Sequence, residues 1–179
     1  ASTIDSLRKQ LGVVFQESLL FQGTLRENIA FSAAATEESI MQAVRVAELE
    51  TFVRELPQGL DTPIAERAST LSGGQKQRLM LARALAGNPK VLLLDDFTAR
   101  VDMQTEQRIL KNIAEAYPEL TIISVTQKMT AASAFDQVVL LMEGEVVASG
   151  SHEELMRSSP EYAQIVQSQQ SLSSYESTH

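Results

Sequence analysis

Four consecutive apolar residues, Val91 to Leu94, run directly into Asp95 and Asp96, and this stretch, KVLLLDD, limits the fold more than any other in the chain. A strand without polar alternation is buried on both faces, as happens where helices cover a parallel sheet, and its acidic end marks where it surfaces at a site. LGVVFQ, Leu11 to Gln16, reads as a second strand that hands over to a loop at Gln16. LTIISVTQ supplies a third, and QVVLLMEGEVVASG supplies more, with a turn at Glu143 and Gly144.

Between the strands the period becomes helical. Thr36 caps a helix expected over Thr36 to Leu56, with acids in its first turn and Ile40, Val44 and Ala47 at three- and four-residue spacing. Pro57 and Gly59 break that pattern, and a polar stretch leads to LSGGQKQR, Leu71 to Arg78. Ser72 or the glycines start the next helix, which runs from Gln75 to Ala86, with Gly87 as its left-handed stop and Pro89 just beyond. Asp102 caps a further helix over Met103 to Ala116, and Ser151 with Glu154 forms a capping-box pattern for another. Alternating strands and helices predict an α/β fold with a mainly parallel sheet. A chain of 179 residues, 44% hydrophobic, is long enough for one such domain, with a helical insertion at about residues 30–87. Residues 168–179 are polar, Ser-rich and without period, and are expected to be disordered.

Composition removes several function classes. Fifteen basic against 23 acidic residues leave a net charge of −8, so no nucleic-acid partner is expected. With no cysteine there is no disulfide or thiolate chemistry, and His152 and His179 have no companion at zinc-ligand spacing. His152 is read as a surface residue. No apolar run approaches the roughly 20 residues that span a bilayer, and the chain itself is expected to be soluble.

Two stretches can carry chemistry. A Gly-Gly turn before a helix presents backbone N–H groups at the positive end of the helix dipole, and Ser72 adds a hydroxyl, which suits an anion. A tight turn with a serine cap explains the same residues. Asp95 at the end of a buried strand suits a hard divalent cation shared with phosphates; a turn cap explains it equally.

In combination the stretches are more specific. LSGGQKQR, then VLLLDD, then VTQ at another strand end, with VVFQ ahead of them, resemble the nucleotide-binding domain of ATP-binding-cassette transporters, in the order Q-loop, signature motif, Walker B strand and switch loop. LFQGTLRENIAFS, LPQGLDT, AERAST and EGEVVASGSHEEL resemble the exporter branch. The resemblance runs from about Ile4 to Gln167, so residues 1–167 are expected to be part of such a domain. It implies a P-loop NTPase-like sheet without the Walker A strand, which in the family precedes the Q-loop and lies between the switch-loop strand and the strand read here as Val138 to Met142. The sheet edge left open is expected to be closed by oligomerisation, by a swapped strand or by direct pairing of 121–126 with 138–142. The chain alone is expected not to hydrolyse ATP.

The family's roles, carried over by position, place Gln16 at the γ-phosphate through Mg²⁺ and make Asp95 the Mg²⁺ ligand. Ser72, Gly73, Gly74 and Gln75 would grip the γ-phosphate of ATP held by a second nucleotide-binding domain, and Asp102 would lie in the D-loop beside it. Gln16 and Glu66 would face the transmembrane domains, at the cytoplasmic side of the cell membrane. Asp96 stands where a general-base Glu is usual; one methylene less withdraws the carboxylate by ~1.5 Å, and an error on the order of 1 Å can cost a hundredfold. Gln127 stands where a switch His is usual and can never be positively charged. Ala99 in ARVD replaces a serine, while the signature is intact. Arg100 is either solvent-facing or a contact across a dimer. The pattern is that of the degenerate-site subunit of a heterodimeric exporter. A conventional hydrolytic ATPase of a homodimer and a non-transport ATPase with the same signature are the alternatives; the second lacks its expected coiled-coil heptads.

Overall fold

The computed structural model describes residues 3–17, 19–32, 34–64 and 71–176. The chain divides into two compact units, residues 1–126 and 127–179. The division does not follow the helical segment 30–87, whose helices share the core of the first unit.

In the first unit a parallel three-stranded sheet has the order β1 (Leu11–Val14), β4 (Val91–Asp95), β5 (Thr121–Val125). Its register pairs Val14 with Leu94 and Leu94 with Ser124. A short antiparallel pair joins β2 (Gly23–Thr24) to β3 (Pro63–Ile64). The helices are α1 (Ile4–Arg8), α2 (Leu25–Ile29), α3 (Glu37–Val46), α4 (Glu50–Glu55), α5 (Gly73–Ala86) and α6 (Met103–Ala116), and a 3-10 turn spans Phe97–Arg100. Leu81 and Leu85 of α5, Ile109 and Ile113 of α6 and Ala43 and Val44 of α3 form one core with Val14, Leu92 and Leu94. Burial of these side chains out of water is what holds helices against the sheet.

The sheet is not buried on both faces. Leu92 and Leu94 are buried, but Val91 and Leu93 are only half-buried, and on the same face of β5 Ile123 and Val125 are 54% and 61% exposed. Sequence also predicted one helix over 36–56 where the structure has two. Glu48 adopts a left-handed φ of 57°, with its N–H on the Arg45 carbonyl and the Leu49 N–H on the Val44 carbonyl. This is a Schellman stop without glycine. Glu48 is held there by its side chain, which accepts from Arg108 Nε at 3.1 Å and Asn112 Nδ2 at 2.8 Å. At the end of α5 the left-handed residue is Asn88, φ 50°, and not Gly87, whose φ is −74°. Asn tolerates that region better than most residues.

The second unit holds an antiparallel hairpin, β6 (Val138–Met142) and β7 (Glu145–Gly150), closed at Glu143 and Gly144, both of positive φ. Its register skips Val147, between the Leu140–Ala148 and Leu141–Val146 pairs. A 3-10 turn, Met129–Ala134, and helices α7 (His152–Ser158) and α8 (Pro160–Glu176) complete it around Ala132, Leu140, Leu155, Tyr162 and Val166. His152 is not a simple surface residue: its Nδ1 lies 2.8 Å from the hydroxyl of Tyr162, which is fully buried. Helix α8 continues to Glu176, so residues 168–176 are helical where a disordered tail was expected. Within that stretch the Gln169 side chain is anchored to backbone 40 residues earlier in the chain. Among the described residues β5 pairs only with β4 in the first unit, and β6 only with β7 in the second. No helix among the described residues is long and apolar enough to cross a membrane.

Candidate functional site

Parallel β1 and β4 end at the same edge of the sheet, and that edge carries the candidate residues. Gln16 lies two residues beyond β1, Asp95 ends β4, and Asp96 follows. Carboxyl ends of parallel strands are the usual place for ligands in α/β sheets. Asp95 is exposed and Asp96 half-buried. Asp96 has a left-handed φ of 46°, with its N–H on the Val125 carbonyl at 2.8 Å and its carbonyl accepting from Ala99 N at 3.1 Å. Gln16 Nε2 is 3.5 Å from Asp96 Oδ2, the outer limit of a hydrogen bond. With its nitrogen so directed, Gln16 offers its side-chain oxygen as an acceptor.

The start of α5 is a complete capping box. Ser72 Oγ accepts from Gln75 N at 3.1 Å, and Gln75 Oε1 accepts from Ser72 N at 2.8 Å. The two polar side chains therefore secure the turn, and the N–H groups of Gly73 and Gly74 have no hydrogen-bond partner among the described residues. Those first-turn donors are the ones a helix leaves for an anion. Gly74 must be glycine for a different reason: a Cβ there would stand 2.9 Å from the carbonyl oxygen of Arg100. A Cβ on Gly73 would meet Arg100 Cδ at 3.1 Å. The D-loop, Ala99 to Asp102, thus lies against the signature glycines, and Arg100, though exposed, lays its aliphatic stem over Gly73. Asp102 caps α6, accepting from Thr105 N at 2.9 Å, and this bond holds its carboxyl below the usual range.

Sequence reasoning missed Gln77. It is fully buried on α5, its Nε2 donates to the Gln16 carbonyl at 2.8 Å, and its Oε1 has no partner among the described residues. The signal was present: Gln77 precedes Met80 and Leu81 by three and four residues, which puts a polar side chain on the apolar stripe of the helix. Further along α5, Arg83 lies against the stacked pair Phe21 and Phe31, its guanidinium carbon 5.0 and 5.6 Å from the ring centroids. Its guanidinium also donates to the Asn28 carbonyl and side chain and to the Leu19 carbonyl. Burial lowers its pKa to about 10, so it stays charged at neutral pH.

Gln127 belongs to the second unit, where its side chain is exposed and its carbonyl accepts from Gln169 Nε2 at 2.7 Å. Glu66 lies outside the described residues. No cluster of three or more His, Asp or Glu residues gathers as a metal cage among the described residues.

Residues 1–99, which include the Q-loop, the signature helix and the strand ending in Asp95, match the family model described as ABC transporter. The chain belongs to the ABC transporter family. It is 44% identical over 166 residues to the ABC transporter ATP-binding protein YfiB of Bacillus subtilis (strain 168), covering 92% of this chain and 29% of that protein. It is 37% identical to the ATP-dependent lipid A-core flippase of Desulfotalea psychrophila, over 89% of this chain and 28% of the flippase. The solved structure of a bacterial Atm1-family ABC exporter with ATP bound superposes with a TM-score of 0.86 at 37% identity, covering 92% of this chain and 29% of that one. The chain spans under a third of the length of these relatives. Its resemblance to exporter-type ABC ATP-binding domains, and the α/β fold that goes with it, are borne out.

Proposed function

We propose that this chain works within an ABC exporter, coupling ATP binding and hydrolysis to transport at the cytoplasmic face of a membrane, and that its own hydrolytic site is degenerate while its signature serves a partner domain. The observation that carries the reading is the approach of Gln16 to Asp96 at the carboxyl edge of the sheet. It brings the phosphate-sensing residue within reach of the position that would orient the attacking water. Asp95 and the Gln16 side-chain oxygen are hard donors, and two protein oxygens completed by phosphate and water suit Mg²⁺, which is seldom held in an all-protein cage. When bound, Mg²⁺ would neutralise phosphate charge. The chain's residues supply the rest: Gly73 and Gly74 donate backbone N–H groups to a γ-phosphate, with Ser72 and Gln75 fixing the turn, and Asp102 fixes the D-loop against it.

Degeneracy rests on three positions. Asp96 carries a short carboxylate, Gln127 cannot become cationic, and Ala99 lacks a hydroxyl. Gln16 and Glu66 would face the transmembrane domains of the exporter, and the partner domain would be a different subunit with Glu and His at these two positions. The test is Asp96→Glu with Gln127→His in the assembled transporter. ATP turnover is expected to rise by about tenfold or more; unchanged turnover would remove the degenerate-site reading and favour a conventional homodimeric ATPase.

A further inference from the structure

The side chain of Gln169, on α8, grips the loop that carries Gln127. Its Oε1 accepts from Met129 N at 2.8 Å and its Nε2 donates to the Gln127 carbonyl at 2.7 Å. The two bonds bracket Lys128, whose φ of −92° and ψ of 117° are extended. A carbonyl and an N–H two residues apart on extended backbone form the pair that a neighbouring strand would engage, and the primary amide supplies one acceptor and one donor to match. The orientation of the amide follows from its partners, since Met129 N can only donate and the Gln127 carbonyl only accept. Met129 opens the 3-10 turn Met129–Ala134, so its N–H is one of the orphan donors of that turn; Lys128 provides no side-chain cap.

We propose that Gln169 is a positioning residue for hydrolysis: its amide fixes the backbone from Gln127 to Met129 and so sets where the Gln127 side chain points. The inference rests on the reading of residue 127 as the switch-loop position of this chain's own, degenerate site. Gln127 is exposed, so little else packs around its side chain to hold it. Two charge-free hydrogen bonds from a helix whose Tyr162 and Val166 are buried in the core of the same unit give the loop a fixed anchor. The clasp also makes the position of Gln127 depend on the docking of the last helix.

The two bonds can be separated. Gln169→Leu removes both, whereas Gln169→Glu keeps an acceptor for Met129 N and replaces the donor to Gln127 with an oxygen. In the assembled transporter, Gln169→Leu should speed amide exchange at Met129 by roughly five- to tenfold, the loss expected for one net hydrogen bond. In the Asp96→Glu, Gln127→His background, where this chain's own site contributes turnover, it should also lower kcat for Mg-ATP about tenfold with KM unchanged. Gln169→Glu in that background should keep Met129 protected and still lower kcat, which a purely structural cap would not do. In that background, undiminished kcat in Gln169→Glu, while Ala in place of His at position 127 abolishes the gain, would overturn the positioning role alone. A gain that persists with Ala at position 127 would overturn the switch-loop reading, and the inference with it. Unchanged Met129 exchange in Gln169→Leu would show that the clasp does not form.

Discussion

Asp96 sits in the left-handed region, where a short polar side chain is tolerated and a longer one is not favoured. The substitution proposed to raise turnover therefore carries a cost in the fold. Asp96→Glu should lower stability by about 1 kcal/mol in urea unfolding, and Asp96→Asn by less than about half that. Asp102 gives a pH dependence. Its carboxyl is held below the unfolded value, first by the Thr105 backbone N–H. Its contribution is present above the unfolded carboxylate pKa of about 4 and is lost as pH falls through the lower folded value. Stability followed from pH 6 downward should fall less steeply in Asp102→Asn than in the parent. Helix starts were the most legible residues in the sequence: Thr36, Asp102 and Ser151 cap the helices they were expected to cap, and of Ser72 and the glycines it is Ser72 that caps α5. Each acts through its immediate neighbours. Glu48 was not legible, because its left-handed stop depends on Arg108 and Asn112, some 60 residues away.

Helix α5 serves the site at both ends. Its first turn presents Gly73 and Gly74, Gln77 grips the loop after β1, and Arg83 locks Phe21, Phe31 and Asn28. Sequence placed the helix correctly but not these long-range contacts, since a period reports which face is apolar and not which polar side chain it buries. Arg83→Met would keep the stem but strand the Asn28 carbonyl, and leave the Asn28 side chain only its bonds to Phe21 and Thr24. A loss of about 2–3 kcal/mol is expected in urea unfolding. Arg83→Lys should recover only part of it, because an ammonium cannot reproduce the planar fork that bonds Asn28 and Leu19 beside the two rings. The strand reading of β4 was correct in extent, yet its two faces differ. A run of apolar residues signals hydrophobicity on both sides and cannot say how completely each is covered.

At the scale of the whole chain, the exposed Ile123 and Val125 of β5, with Val139 and Leu141 of β6 and Val146 of β7, are more apolar surface than solvated strands usually show. The 179-residue chain should self-associate with rising concentration in sedimentation velocity, despite its charge of −8. Ile123→Thr with Val125→Thr should weaken that association; a monodisperse parent would refute it. The division at residues 126 and 127 was not visible in composition, because no Pro, Gly or Ser-rich linker marks it. The polar segment after Gln167 misled for the opposite reason: glutamine and serine lower the apparent order of a segment in which an anchoring amide is itself a glutamine. A protein shortened after Gln167 would retain Gln16, the Ser72 to Gln75 turn, Asp95 and Asp96, yet Met129 and Gln127 would lose a partner supplied from forty residues downstream. The trimmed and intact proteins would be different reagents.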